Sequence, residues 1–143
     1  MELNNKSLIT NYILNNRFGE LLGMQFSILE PGIVEYHLDI GKKHLATPFA
    51  AHGGVISGLL DATIGVGALS AVCEDEKVVS TVEMKASFFR PAVEGDLLIA
   101  HSKILQKGNR IVFMEAVIHN QNNELVAKAT GTLNCFPKEK AGY

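Results

Sequence analysis

The apolar positions change period along the chain, and each change marks an element. Leu8, Ile9, Tyr12 and Ile13 recur at helical spacing. They predict a short amphipathic helix over 5–16, capped by Asn4, Asn5 or Ser7 and packed on a sheet. Residues 24–29 and 33–40 read as strands around a tight turn at Pro31-Gly32. Val34, Tyr36 and Leu38 alternate there with Glu35, His37 and Asp39, which gives one buried and one wetter face. A loop over 41–51 carries Lys42, Lys43, His44 and Pro48. From Ala51 to Cys73 the alternation vanishes and the chain is apolar almost throughout, with Asp61 as its single charge. Such a segment reads as a helix buried inside a protein. It starts near Gly53.

Alternation returns over 78–89, where Val82, Met84, Ala86 and Phe88 interleave with Glu83, Lys85 and Ser87. Arg90-Pro91 ends that strand, since proline cannot donate to a ladder. Strands over 97–106, 110–120 and 124–136 follow, separated by Lys107-Gly108-Asn109 and Gln121-Asn122-Asn123. Residues 137–143 read as a frayed tail. Short links predict that the last four strands are antiparallel neighbours. One long apolar helix and one sheet predict an α+β fold in which a curved antiparallel sheet wraps the helix. The whole chain, 1–143, reads as one such domain, and its long strand edges invite self-association.

Composition changes this picture little. The 143 residues suit one core. Hydrophobic residues at 47% argue against disorder. A net charge of −2 gives no global field for nucleic acid. The two cysteines, Cys73 and Cys135, lack metal-ligand spacing and read as small apolar residues in a reducing compartment, with a disulfide as the alternative. The first 17 residues have no compact apolar run of the signal-peptide kind. Segment 55–73 is long enough to raise a membrane reading, but Asp61, Ser57 and three glycines weaken it.

The chemistry lies at the start and middle of the long helix. The first N–H groups of a helix lack intrahelical partners and favour negative charge. Gly53 and Gly54 let a ligand approach that backbone. The site suits a phosphate, or a carbonyl oxygen that becomes negative during reaction. Taken alone, His52 reads equally as a cap, and the glycine pair as a place of tight packing. Asp61 reads either as an acid satisfied by a backbone or hydroxyl group, or as a reacting group. It lies nine residues after His52, roughly 900° and about 13.5 Å along an ideal helix. The two are therefore half a turn out of phase. If both serve one reaction, one comes from a second chain across a two-fold interface.

Together these residues resemble the hotdog-fold acyl-CoA thioesterases, in the phenylacetate-pathway (PaaI-like) branch. The resemblance rests on His52-Gly53-Gly54, Leu59 and Asp61, then Thr81, Arg90-Pro91, Gly95-Asp96, Lys107-Gly108-Asn109-Arg110 and the 127–131 strand. It covers roughly 23–136. It implies a sheet wrapped around one helix, subunits joined edge to edge as a homodimer, and dimers paired into homotetramers. It implies hydrolysis of an aromatic or medium-chain acyl-CoA. The Gly53 amide would polarise the thioester carbonyl, and Asp61 of the other subunit would act as nucleophile or as general base on water. His52 would position the thioester, and Thr81 would orient water beside Asp61. Gly54, Thr47, Arg90 and Arg110 would contact substrate, the arginines through the CoA phosphates. No metal and no cofactor beyond the substrate's own coenzyme A are implied. Cytoplasmic location follows from the same reading.

One departure stands out. Many relatives have Asn or Gln about six residues before the His, where this chain has Ala46, with Thr47 as a possible substitute. Lys42, Lys43, Lys85 and Lys107 are further phosphate candidates. The acyl pocket is expected between the long helix and the 78–89 strand, with Phe49, Phe88 and Phe89 as lining or core. A non-catalytic acyl-CoA-binding module on the same fold is the main alternative. A dehydratase ranks below it, for want of a second catalytic histidine.

Overall fold

The computed structural model describes residues 2–143. Helices α1 (Glu2–Asn15) and α2 (Arg17–Leu22) precede strands β1 (Gln25–Glu30) and β2 (Ile33–Asp39). The long helix α3 (Gly53–Val72) follows, then β3 (Lys77–Phe88), β4 (Leu97–Lys107), β5 (Ile111–His119) and β6 (Leu125–Pro137). The six strands form one antiparallel sheet in the order β1-β2-β4-β5-β6-β3. All six touch α3. A flat sheet of that width is about 24 Å across, whereas a helix is about 10 Å wide. The sheet must therefore curl around α3, as the sequence predicts.

The core is the interface between them. Leu59, Leu60, Ile64 and Val66 of α3 are fully buried against Val34, Tyr36 and Leu38 of β2 and Val112, Met114, Ala116 and Ile118 of β5. Two glycines set how closely helix and sheet approach. A Cβ on Gly67 would lie 2.6 Å from Ser102 Oγ and 2.8 Å from Met114 Cε. A Cβ on Gly131 in β6 would lie 2.5 Å from Ile64 Cδ1. Ser102 also uses its hydroxyl inside the core. It accepts from Val34 N–H and donates to Gly32 O, each at 2.9 Å. The helix long and apolar enough to cross a bilayer, 53–75, has 67% of its most apolar window buried in the protein. Cys73 and Cys135 are free thiols, both buried.

Three expectations are corrected. β3 does not neighbour β4. The eight-residue link 89–96 contains Pro91 and carries the chain back beside β2, where Gly95 N–H donates to Ile40 O and Ile40 N–H to Asp96 O. β3 is thereby left at the sheet edge next to β6. Its alternation also breaks, because a bulge between Thr81 and Glu83 leaves Val82 61% exposed. The first helix packs on the sheet as expected, Tyr12 against Phe26 of β1 with ring centroids 6.1 Å apart and Leu8 against Val78 of β3, and it also meets the end of α3 at Leu69 and Cys73 just beyond it. The last residues are not frayed. They form a 3₁₀ turn over Lys138–Ala141, held by Lys138 Nζ to Glu76 Oε1 at 2.9 Å.

Candidate active site

The start of α3 is built by a histidine. His52 is the N-cap, in extended geometry, and its Nδ1 accepts from Gly54 N–H at 2.7 Å. That bond puts the ring proton on Nε2, which leaves an outward-facing donor. The two glycines now have separate roles. A Cβ on Gly54 would lie 2.9 Å from His52 Nδ1, so Gly54 makes room for the cap and its amide is engaged by it. Gly53 meets nothing within 4 Å of where a Cβ would be. Its N–H, in the first helical turn, has no acceptor among the described residues. Of the pair, only Gly53 offers a free donor to a ligand.

The loop before the helix is anchored by a second histidine that the sequence pattern did not single out. His44 is buried, with Nδ1 accepting from Gly41 N–H at 2.9 Å and Nε2 donating to Leu22 O at 2.7 Å. Its carbonyl accepts from His52 N–H at 2.8 Å. One residue thus ties the end of α2, the loop and the start of α3 together. Thr47 Oγ1 accepts from Ala50 N–H at 2.9 Å, which closes the loop and leaves the hydroxyl proton to donate outward.

Asp61 is exposed, not buried as its apolar segment suggested. The least buried stripe of α3 runs through Gly58, Asp61 and Gly65. Phe18 of α2 lies against Gly58. Thr81 Oγ1 donates to Asp61 Oδ1 at 2.7 Å. The other carboxylate oxygen has no partner among the described residues. The pair sits on a cavity of about 280 Å³ lined by Asp61, Gly65 and Leu69 of α3, Val79 and Thr81 of β3, and Tyr12 of α1. Tyr12 OH is 3.5 Å from Tyr36 OH, and burial pushes both phenols up. Tyr12 was visible in the sequence only as one apolar helix position.

An anchored carboxylate at the mouth of an apolar cavity can attack, or activate water against, a carbonyl carbon whose tail fills the cavity. A free backbone N–H can hold the resulting oxyanion. The other predicted residues divide. Arg90 is held by Glu124, Nη2 to Oε2 at 2.7 Å, in a recess with Phe49. Arg110 lines a different recess with Lys77 and Lys140. Lys43 Nζ donates to Leu21 O at 3.0 Å. Phe49, Phe88 and Phe89 are 62%, 53% and 57% exposed, and belong neither to the core nor to the Asp61 cavity.

A sheet curled around one central helix, with this helix-borne pair of features, is the hotdog architecture. The chain belongs to the Thioesterase superfamily, whose sequence profile matches residues 50–127. It is 33% identical over 97 residues to a candidate esterase of Pseudomonas aeruginosa, covering 68% of this chain and 71% of that one. It is 28% identical over 93 residues to the medium/long-chain acyl-CoA thioesterase YigI of Escherichia coli, covering 57% and 59%. Its fold matches the PaaI protein of the E. coli phenylacetic acid degradation operon with a TM-score of 0.84 and 19% identity, over 93% of this chain and 94% of that one.

Proposed function

We propose that this protein hydrolyses an acyl-CoA thioester with an aromatic or medium-chain acyl group, at a site completed by two copies of the chain. The observation that carries the reading is the Thr81–Asp61 hydrogen bond at the mouth of the apolar cavity. Family membership and the likeness to an acyl-CoA thioesterase support the reaction class. The acyl chain enters the cavity beside Gly65 and Tyr12. Asp61 takes a proton from water as the water oxygen bonds to the carbonyl carbon, or attacks that carbon itself. The oxyanion rests on the Gly53 N–H of the other subunit. Collapse breaks the C–S bond, and the thiolate of CoA leaves and takes up a proton, from Asp61 on the water route; where Asp61 itself attacks, water then hydrolyses the acyl–Asp61 anhydride, and on either route the acid departs as a carboxylate. His52 holds the first helical turn and presents Nε2–H to the thioester. Coenzyme A belongs to the substrate, and no further cofactor enters.

The helix supports a shared site. Gly53 and Asp61 are eight residues apart on α3, about 12 Å along the axis, too far for one carbonyl to meet both. The β3 edge, exposed beside Val82 and Phe88, is where a second copy would pair. We read the protein as a cytoplasmic homodimer, further paired into tetramers. The test is CoA release from a panel of acyl-CoA thioesters by wild type and Asp61→Asn. Asp61→Asn should lose activity while melting like wild type, and full activity in it would remove Asp61 from the chemistry. Thermal stabilisation by acyl-CoA with no turnover anywhere in the panel would favour a binding module instead.

A further inference from the structure

We propose that residues 138–143 form the far wall of the Asp61 cavity, and that the Tyr143 side chain is the stop that limits a straight acyl chain to medium length. The proposal rests on the acyl-CoA reading above, which gives the cavity to the acyl group without saying what bounds it. Leu8 and Tyr12 of α1, the Asp61–Leu69 stretch of α3, β3 and β6 supply most of the lining. The remainder comes from Ala141 and Tyr143, in the turn after β6.

The cavity suits a chain better than a ring. Its α3 lining passes from Asp61 through Gly65 to Leu69, eight residues along one face and about 12 Å along the axis. A carbon chain advances about 1.3 Å per bond, given C–C bonds near 1.5 Å. Roughly nine bonds span the distance, whereas a lone aryl ring at Asp61 leaves the far end unfilled.

What closes that end decides the length. Leu8, Leu69 and Val78 are 3%, 6% and 6% exposed and pack together with Cys73. A longer chain could pass them only by repacking core side chains. Ala141 and Tyr143 are exposed, so solvent lies behind them. Tyr143, 40% exposed, turns one side to the cavity and the other to water. Removing its ring opens the far end without disturbing the core.

The turn is held where such a stop must sit. β6 ends at Pro137, paired with Lys77, which is four residues and about 13 Å from Thr81 along β3. The turn therefore starts from the end remote from the Thr81–Asp61 pair. Lys138 grips Glu76 twice, N–H to O at 3.1 Å and Nζ to Oε1 at 2.9 Å. Gly142, at φ 87°, reverses the chain in a left-handed conformation that needs no Cβ. Tyr143 N–H then donates to Lys138 O at 3.4 Å, which brings Tyr143 back over the cavity. No hydrogen bond holds its side chain among the described residues, so the ring acts by bulk.

The test is a chain-length series on the intact protein. It measures kcat/KM for straight acyl-CoA thioesters from butanoyl to hexadecanoyl, and for phenylacetyl-CoA, with wild type, Tyr143→Phe and Tyr143→Ala. Melting curves check that both variants fold. Each methylene that finds room should raise kcat/KM about fourfold. In wild type the rise should end at roughly ten carbons. In Tyr143→Ala it should continue for two or more carbons, so the dodecanoyl-to-decanoyl ratio should grow by about tenfold or more. Tyr143→Phe keeps the bulk and should keep the wild-type break. A break at the same length in Tyr143→Ala overturns the stop. So does a Phe variant that behaves like the Ala one, or a wild type that prefers phenylacetyl-CoA to every straight chain. Calorimetric affinities for the same series separate this proposal from the hydrolase reading. A length break in affinity that shifts in Tyr143→Ala, with no turnover, would uphold the stop and sink the hydrolase. Turnover with an unshifted break would do the reverse, and neither turnover nor binding would sink both.

Discussion

The separation of Gly53 and Asp61 by about 12 Å along α3 predicts that two dead variants rescue each other. Asp61→Asn keeps the Thr81 hydrogen bond but removes the base, a loss of roughly 10²–10⁴ in rate. Gly53→Pro removes the N–H proposed to hold the oxyanion, a loss of roughly 10²–10³. The structure says why this proline should be tolerated. Gly53 is the first residue of α3, where proline is favoured and no intrahelical bond is lost. His52 before it sits at φ −63° and ψ 137°, a conformation a following proline accepts. Added atoms on the Cβ side of Gly53 meet nothing within 4 Å. Mix the two variants equally, unfold and refold them together, and half the dimers are mixed. Each mixed dimer has one site with both groups intact and one with neither. The sample should recover about one quarter of wild-type activity, far above either parent. The assay is CoA release on the best thioester in the panel. A refolded mixture no more active than the mean of its parents would refute the shared site.

Other outcomes follow from single contacts. Thr81→Val should lower kcat by about 10- to 100-fold, the worth of a hydrogen bond to a charged group, with Thr81→Ser restoring most of it. Unchanged KM for both would mark Thr81 as orienting Asp61. Gly65→Leu should shift preference toward shorter acyl chains, because Gly65 lines the cavity with nothing within 4 Å of its Cβ position. Melting should not fall, since Leu is the better helix former. Gly67→Ala should cost about 1–2 kcal/mol net, overpacking against Ser102 and Met114 outweighing the helix gain, and denaturant melts measure it. Glu35 accepts from His37 at 2.6 Å and from His101 at 2.7 Å, and these bonds hold its carboxyl below the usual 4.5. Its stabilising effect is therefore present above that pH and lost as pH falls through the lowered value. The advantage of wild type over Glu35→Gln should shrink in thermal melts as the medium is acidified below 4.5, and growth on acidification would reverse the sign.

The apolar periods placed α3 and every strand to within one or two residues, because each element buries a continuous face. The same periods could not show which face of α3 lacks a sheet. Asp61 looked buried for that reason, and its Thr81 partner came from resemblance instead of spacing. β3 misled in a related way. Its alternation signals a half-buried strand, but an edge position and a bulge at Thr81 turn Val82 outward. Helix α2 went unseen because Arg17–Leu22 is short and contains Gly19. It exists through an Asn16 cap, whose side chain accepts from Gly19 N–H at 3.1 Å, and through Phe18 packing on Gly58. His44 shows the limit most plainly. Its anchoring role depends on contacts to Leu22 and His52, both distant in sequence or fixed only by folding.

The two ends of the sheet differ in a way that bears on how growth stops. One terminal strand, β1, has six residues; the other, β3, has twelve. A long terminal strand that pairs with its own copy uses up the same surface on both molecules, so addition ends at two. Pairing β3 of one molecule with β1 of the next would instead leave a free terminus at each end and allow a filament. The mismatch in length makes that second arrangement the worse fit. If β3 pairs with its own copy as proposed, an exposed twelve-residue strand, ordinarily an aggregation hazard, carries its own limit.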